Sequence, residues 1–190
     1  MRQQGSGMGA DTETQPLCLR FTKTATARAA ARPKESLLRP PDLAQWLLAA
    51  GLGEQLPGVD EELLREAREL REAIYRAARA VADAVPPAGA DRDRINAWAG
   101  RNDAFRVLDG TGAAWRFPGA SPARSALAVL AGDAVETLGG VRPGTVKVCA
   151  GTGCVAVFLD TTRGRSRRWC SMGTCGNRAK KDAMRVRHER

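Results

Sequence analysis

The segment Cys149-Ala150-Gly151-Thr152-Gly153-Cys154, answered by Cys170-Ser171-Met172-Gly173-Thr174-Cys175, decides how this 190-residue chain is read. Each cysteine pair encloses four residues, and fifteen separate the pairs. Two short loops brought face to face supply four thiolates in a tetrahedron, the arrangement that zinc prefers. The usual gap within a pair is two residues, so these are wide knuckles, and Gly151 and Gly153 let the first one turn. The spacing predicts one structural Zn2+ per chain on Cys149, Cys154, Cys170 and Cys175. The fifth cysteine, Cys18, lies between Leu17 and Leu19 and reads as a small buried core residue rather than a reactive thiol.

Charge concentrates around these cysteines. Residues 149–190 hold ten Lys or Arg against three Asp or Glu, a net +7, which leaves +2 for residues 1–148. Such an excess on a small metal-clamped unit is the footprint of a polyanion partner, most often nucleic acid. Arg163, Arg165 and Arg167, among Gly164 and Ser166, read as a basic loop suited to phosphates, with Lys181 and Arg185 extending the surface. The plain alternative is a solvated loop that keeps the unit soluble.

A chain with 43% hydrophobic and 27% charged residues is globular, and no apolar run approaches the roughly 20 residues of a membrane span. Residues 1–16 are rich in Gly, Gln, Ser and Thr without an apolar signal core, so they read as a disordered tail, and a cytoplasmic, bacterial setting is expected. An enzyme is disfavoured. Four cysteines close the zinc shell, one histidine supplies no nucleophile set, and Gly110 and Gly112 lack the basic and hydroxyl residues of a phosphate loop.

The rest is predominantly α-helical in pattern. Helices are expected over Leu17–Ala31, Asp42–Ala50 after Pro41, and Asp60–Val85, where Leu63, Ala67, Leu70, Ile74, Ala77 and Val81 recur at helical steps. Glu61 with Arg65 and Glu72 with Arg76 are expected as four-residue ion pairs. Asp91 is expected to cap a helix reaching Asn102, Phe105–Phe117 to form a β-hairpin, and Ser121 with Pro122 to open a helix ending at Leu138. Gly139 to Pro143 then mark a boundary between a mostly α domain at 17–140, expected to fold alone, and a finger at 143–190. In the finger, Val155, Val157 and Leu159 predict a strand paired with Arg167–Trp169. Thr174 is placed to cap a last helix, with Ala179, Ala183 and Val186 inward and Arg178, Lys181, Arg185 and His188 on another side.

The run Arg165-Ser166-Arg167-Arg168-Trp169-Cys170-Ser171-Met172, with Cys175-Gly176-Asn177-Arg178-Ala179-Lys180 after it, closely resembles the CGNR zinc finger family over about 143–188. The resemblance implies a treble-clef-like finger behind an all-α amino-terminal ABATE domain, classed among stress-induced transcription regulators. Residues 17–140 have its length and helical character. Leu19-Arg20-Phe21-Thr22-Lys23-Thr24 is similar to that domain's opening Leu-Asp-Phe-Val-Asn-Thr stretch, with Arg20 and Lys23 where Asp and Asn are usual. The family's acidic and amide ligand pocket is therefore not carried over.

Four thiolates on Zn2+ leave a formal −2, which Arg168 and Arg178 are placed to offset while reaching outward. Trp169 reads as a lid over the cluster in preference to a base-stacking ring, and Asn177 as a brace of the knuckle backbone in preference to a base contact. The leading expectation is a zinc-dependent DNA-binding transcription regulator whose helical domain senses a small-molecule ligand or assembles subunits. An RNA-binding or protein-interaction zinc module is the alternative.

Overall fold

The structure, a computed structural model, describes residues 14–110 and 112–188, and of residues 186–188 the backbone only. Most of the expected tail, residues 1–13 of 1–16, lies outside the described residues, and Gln15 and Pro16 are buried. Helix α1 (Leu17–Thr22) buries Cys18, Leu19 and Phe21 and stops well short of the expected Ala31. The Thr22 and Thr24 hydroxyls donate to the Leu19 and Phe21 carbonyls, both at 2.8 Å, and finish the helix by taking its last acceptors. The chain then forms a two-residue ladder of β1 (Ala25–Thr26) with β2 (Lys34–Glu35). At the other end of α1, the Cys18 N–H donates to Asp133 at 2.9 Å, so a carboxylate from a distant helix satisfies an orphan donor.

Helix α2 (Pro40–Ala49) starts on two prolines, with the Asp42 carboxylate accepting from the Leu38 and Arg39 amides at 2.9 and 2.8 Å. Helix α3 (Glu61–Ala82) is capped by Asp60, which accepts from the Leu63 N–H at 2.8 Å. Its apolar positions 63, 67, 70, 74 and 77 are buried as their spacing predicts. The expected ion pairs differ. Arg65 turns to Glu69, one turn on instead of one turn back, while tertiary partners take the other pair apart: Arg76 reaches Asp91, and Glu72 takes Arg28 beside its neighbour Arg71.

Helix α4 (Gly89–Ala99) ends before Asn102, and Asp91 is buried in its first turn against Arg76 instead of capping it. Strands β3 (Phe105–Asp109) and β4 (Gly112–Arg116) form the expected hairpin. Helix α5 (Pro122–Leu138) starts at Pro122 with no side-chain bond from Ser121. It runs through the middle of the fold, with α1, α3 and α4 packed on it, and its many alanines let them approach.

The finger's strands, β5 (Thr145–Val148) and β6 (Val157–Asp160), lie against α3 and α1. Val146, Val157 and Leu159 belong to the same apolar core as Leu19, Phe21, Leu70 and Leu127. Each such burial is worth about 1.5–3 kcal/mol, so the core continues across the 140–143 boundary. Arg142 ties the connecting segment to α5 through Asp133, at 2.6 Å.

Candidate metal centre

Strands β5 and β6 pair antiparallel with Val146 opposite Leu159 and Val148 opposite Val157. The expected partner of β6, Arg167–Trp169, is replaced by β5. The alternation explains this: Val146, Val157 and Leu159 face the helices, while Phe158 on the other face packs with Cys149, Cys170 and Cys175. The hairpin turn is therefore the first knuckle. The returning chain brings the second pair beside it, with the Ala150 N–H donating to the Arg168 carbonyl at 2.9 Å. A π-helical turn, Met172–Gly176, carries Cys175, and α6 (Asn177–His188) follows it.

The four sulfurs lie within 4.8 Å of one another, and Cys170 is 3.8 Å from both Cys154 and Cys175. A tetrahedron with Zn–S bonds of about 2.3 Å has S···S edges of ~3.8 Å, so the ligand set fits one zinc ion. Backbone donors support it: the Gly151 and Cys170 amides donate to the Cys149 sulfur at 3.4 and 3.3 Å. A Cβ on Gly151 would stand 3.1 Å from that of Cys175, and Gly153 has φ +69°, so a side chain would be crowded at the first and strained at the second.

Cationic charge is needed to hold this cluster. Hydrogen bonding from Cys170 lowers Cys154 to about 5, while the same contact raises Cys170 and burial pushes Cys175 up to about 11. Four thiolates in one place require a metal to stabilise them.

Asp160, wholly buried, organises the next loop. It accepts from Lys147 Nζ at 2.8 Å, from the Thr162 N–H and hydroxyl at 3.0 and 2.6 Å, and from the Arg167 N–H at 2.9 Å. Burial alone would raise its pKa. The bonds from Lys147, Thr162 and Arg167 outweigh that and hold it well below the usual carboxylate range.

The predicted basic residues divide. Arg167 donates to the Trp169 and Cys170 carbonyls at 2.8 and 2.7 Å and lies over Phe158, and Arg165 donates to the Asp160 carbonyl at 2.5 Å. These two brace the loop. Arg163, Arg178, Lys181 and Arg185 are exposed, and their side chains make no hydrogen bond or ion pair with another described residue. Arg168 is exposed and stacks on Trp169, 5.3 Å from its ring centre, and Trp169 packs half-buried against the cysteines. Asn177 donates to the Gly173 carbonyl at 3.1 Å, a brace of the second knuckle.

Helix α6 starts at Asn177 rather than near a Thr174 cap, and Ala183, expected inward, is exposed. The side chains of Val186 and His188 lie outside the described residues. Sequence reasoning missed Asp160, Lys147 and Phe158, of which only Phe158 carried a signal, its place in the strand alternation. It also missed Lys23 as a neighbour of the cluster. Burial lowers the Lys23 pKa, opposed by the nearby Cys170, Cys154 and Cys149.

The family model described as "Putative stress-induced transcription regulator", ABATE, matches residues 15–141, and the CGNR zinc finger model matches residues 145–188. Among curated proteins, none matches the chain. Among the described residues no helix is long and apolar enough to cross a membrane. With the helical core filling the first span and four sulfurs at zinc spacing in the second, the chain belongs to the ABATE family and ends in a CGNR zinc finger.

Proposed function

We propose that the chain is a transcription regulator that binds duplex DNA through its zinc finger. The observation that carries this is α6: Arg178, Lys180, Lys181 and Arg185 are exposed and free of ion pairs, and every described side chain from 180 to 185 faces solvent. Among the described residues of α6 beyond Asn177 none is buried, so this stretch of helix adds little to the core. Its twelve residues span about 18 Å, and an α-helix fits the roughly 12 Å wide major groove. Arg163 and Arg168 supply further exposed cations on the same module. The zinc is structural in this reading, and the chain is no enzyme.

Binding of the zinc-loaded protein to random duplex DNA, single strands and structured RNA tests the proposal. It expects duplex DNA to bind tightest. Preference for single strands or RNA would move the assignment to an RNA-binding module, and no binding to any of them to a protein-interaction module.

A further inference from the structure

We propose that Tyr75, on α3 of the helical part, is a positioning residue for the first zinc knuckle. Its hydroxyl donates to the Val155 carbonyl at 3.0 Å. That carbonyl belongs to the residue that directly follows the ligand Cys154, so the bond fixes the rigid peptide plane by which the chain leaves the knuckle. Holding that plane holds the backbone from which the Cys154 side chain springs. The need is specific to this ligand: Cys149, Cys170 and Cys175 are buried, whereas Cys154 is half-exposed at the end of a wide loop.

Tyr75 is itself held. The Arg28 guanidinium lies 4.1 Å from its ring centre and donates to the Thr22 carbonyl at 3.0 Å. Arg28 pairs with Glu72, which accepts from Arg71 at 2.9 Å, and Arg71 grips Glu35 at 2.7 and 2.6 Å. An ion-pair chain rooted in β2 thus ends at the residue next to a zinc ligand. Partners beyond the ligands commonly govern metal affinity by ten- to a hundredfold, and here that partner belongs to another part of the chain.

The test uses the full zinc-loaded chain and reads zinc transfer to a chromophoric chelator, beside the absorption spectrum of the Co2+-substituted protein. Tyr75→Phe keeps the ring under Arg28 and removes only the donor. Zinc release about tenfold faster, with a shifted Co2+ spectrum and unchanged helical circular dichroism, is expected. Glu72→Gln should act in the same direction more weakly and add nothing to Tyr75→Phe; it carries the test alone if Tyr75→Phe loses helix. Arg79, which also stands beside the phenol, is the control, and Arg79→Gln should leave release unchanged. Unchanged release and spectrum in Tyr75→Phe, or an equal effect from Arg79→Gln, would overturn the proposal.

Discussion

The side-chain amide of Gln15 and the peptide of Leu159 exchange two hydrogen bonds: Gln15 Nε2 donates to the Leu159 carbonyl at 3.1 Å, and the Leu159 N–H donates to Gln15 Oε1 at 2.7 Å. The amide acts as a one-residue strand on the edge of β6 that β5 leaves open. Gln15→Ala removes both bonds and strands a buried donor and acceptor. A loss of about 2–4 kcal/mol is expected, read from the urea midpoint of the zinc-loaded protein. An unmoved midpoint would show that the clamp adds nothing.

Asp160 sets an acid limit. Its folded pKa lies below the unfolded value of about 3.9, so its contribution is complete above about pH 5 and is lost as pH falls from there toward the folded pKa. Asp160→Asn leaves Lys147 without its carboxylate and should cost about 3 kcal/mol at neutral pH. The variant's stability should also fall less steeply with acid than that of the parent, the remaining slope coming from thiolate protonation and zinc release. Parallel acid profiles would remove Asp160 from the account.

Zinc content should be one per chain and should follow the cysteines. Cys170→Ser or Cys175→Ser should abolish tight metal binding and unfold the knuckles, since structural zinc contributes roughly 10–16 kcal/mol in finger peptides. Cys18→Ala should leave the metal content at one, because Cys18 is buried against α5, away from the cluster. Elemental analysis of the reduced proteins decides this.

A chain ending at Gly140 should keep its helical circular dichroism and unfold cooperatively, yet melt well below the full chain. Val146, Val157 and Leu159 would be stripped from the shared core at a cost of about 1.5–3 kcal/mol each. Equal melting temperatures would show that the hairpin merely rests on the helices.

The long α3, the hairpin 105–116 and α5 were legible because their apolar periodicity and their proline and glycine punctuation are local signals. The four ligands were legible because their spacing implies a chemistry that only a closed cluster satisfies. Helix α1 ends early because threonine hydroxyls take its last carbonyls, which apolar periodicity does not register, and because the chain beyond is held in a β-ladder with residues 34–35, a contact that is not local. The partner of β6 was misassigned for a related reason. Alternation predicts a strand and is silent about which neighbour takes its edge. Arg165 and Arg167 show the same limit from the side of charge, since composition counts cations without distinguishing those already bound to carbonyls.

The most direct measurement of the central claim is the salt dependence of duplex DNA binding by the zinc-loaded protein and by a variant with Arg178, Lys181 and Arg185 changed to Ala. The account predicts a log–log slope of about −0.9 per neutralised phosphate in the parent, and a slope shallower by up to about 3 in the variant, with zinc content unchanged. An affinity independent of salt, or a variant that binds as the parent does, would contradict it.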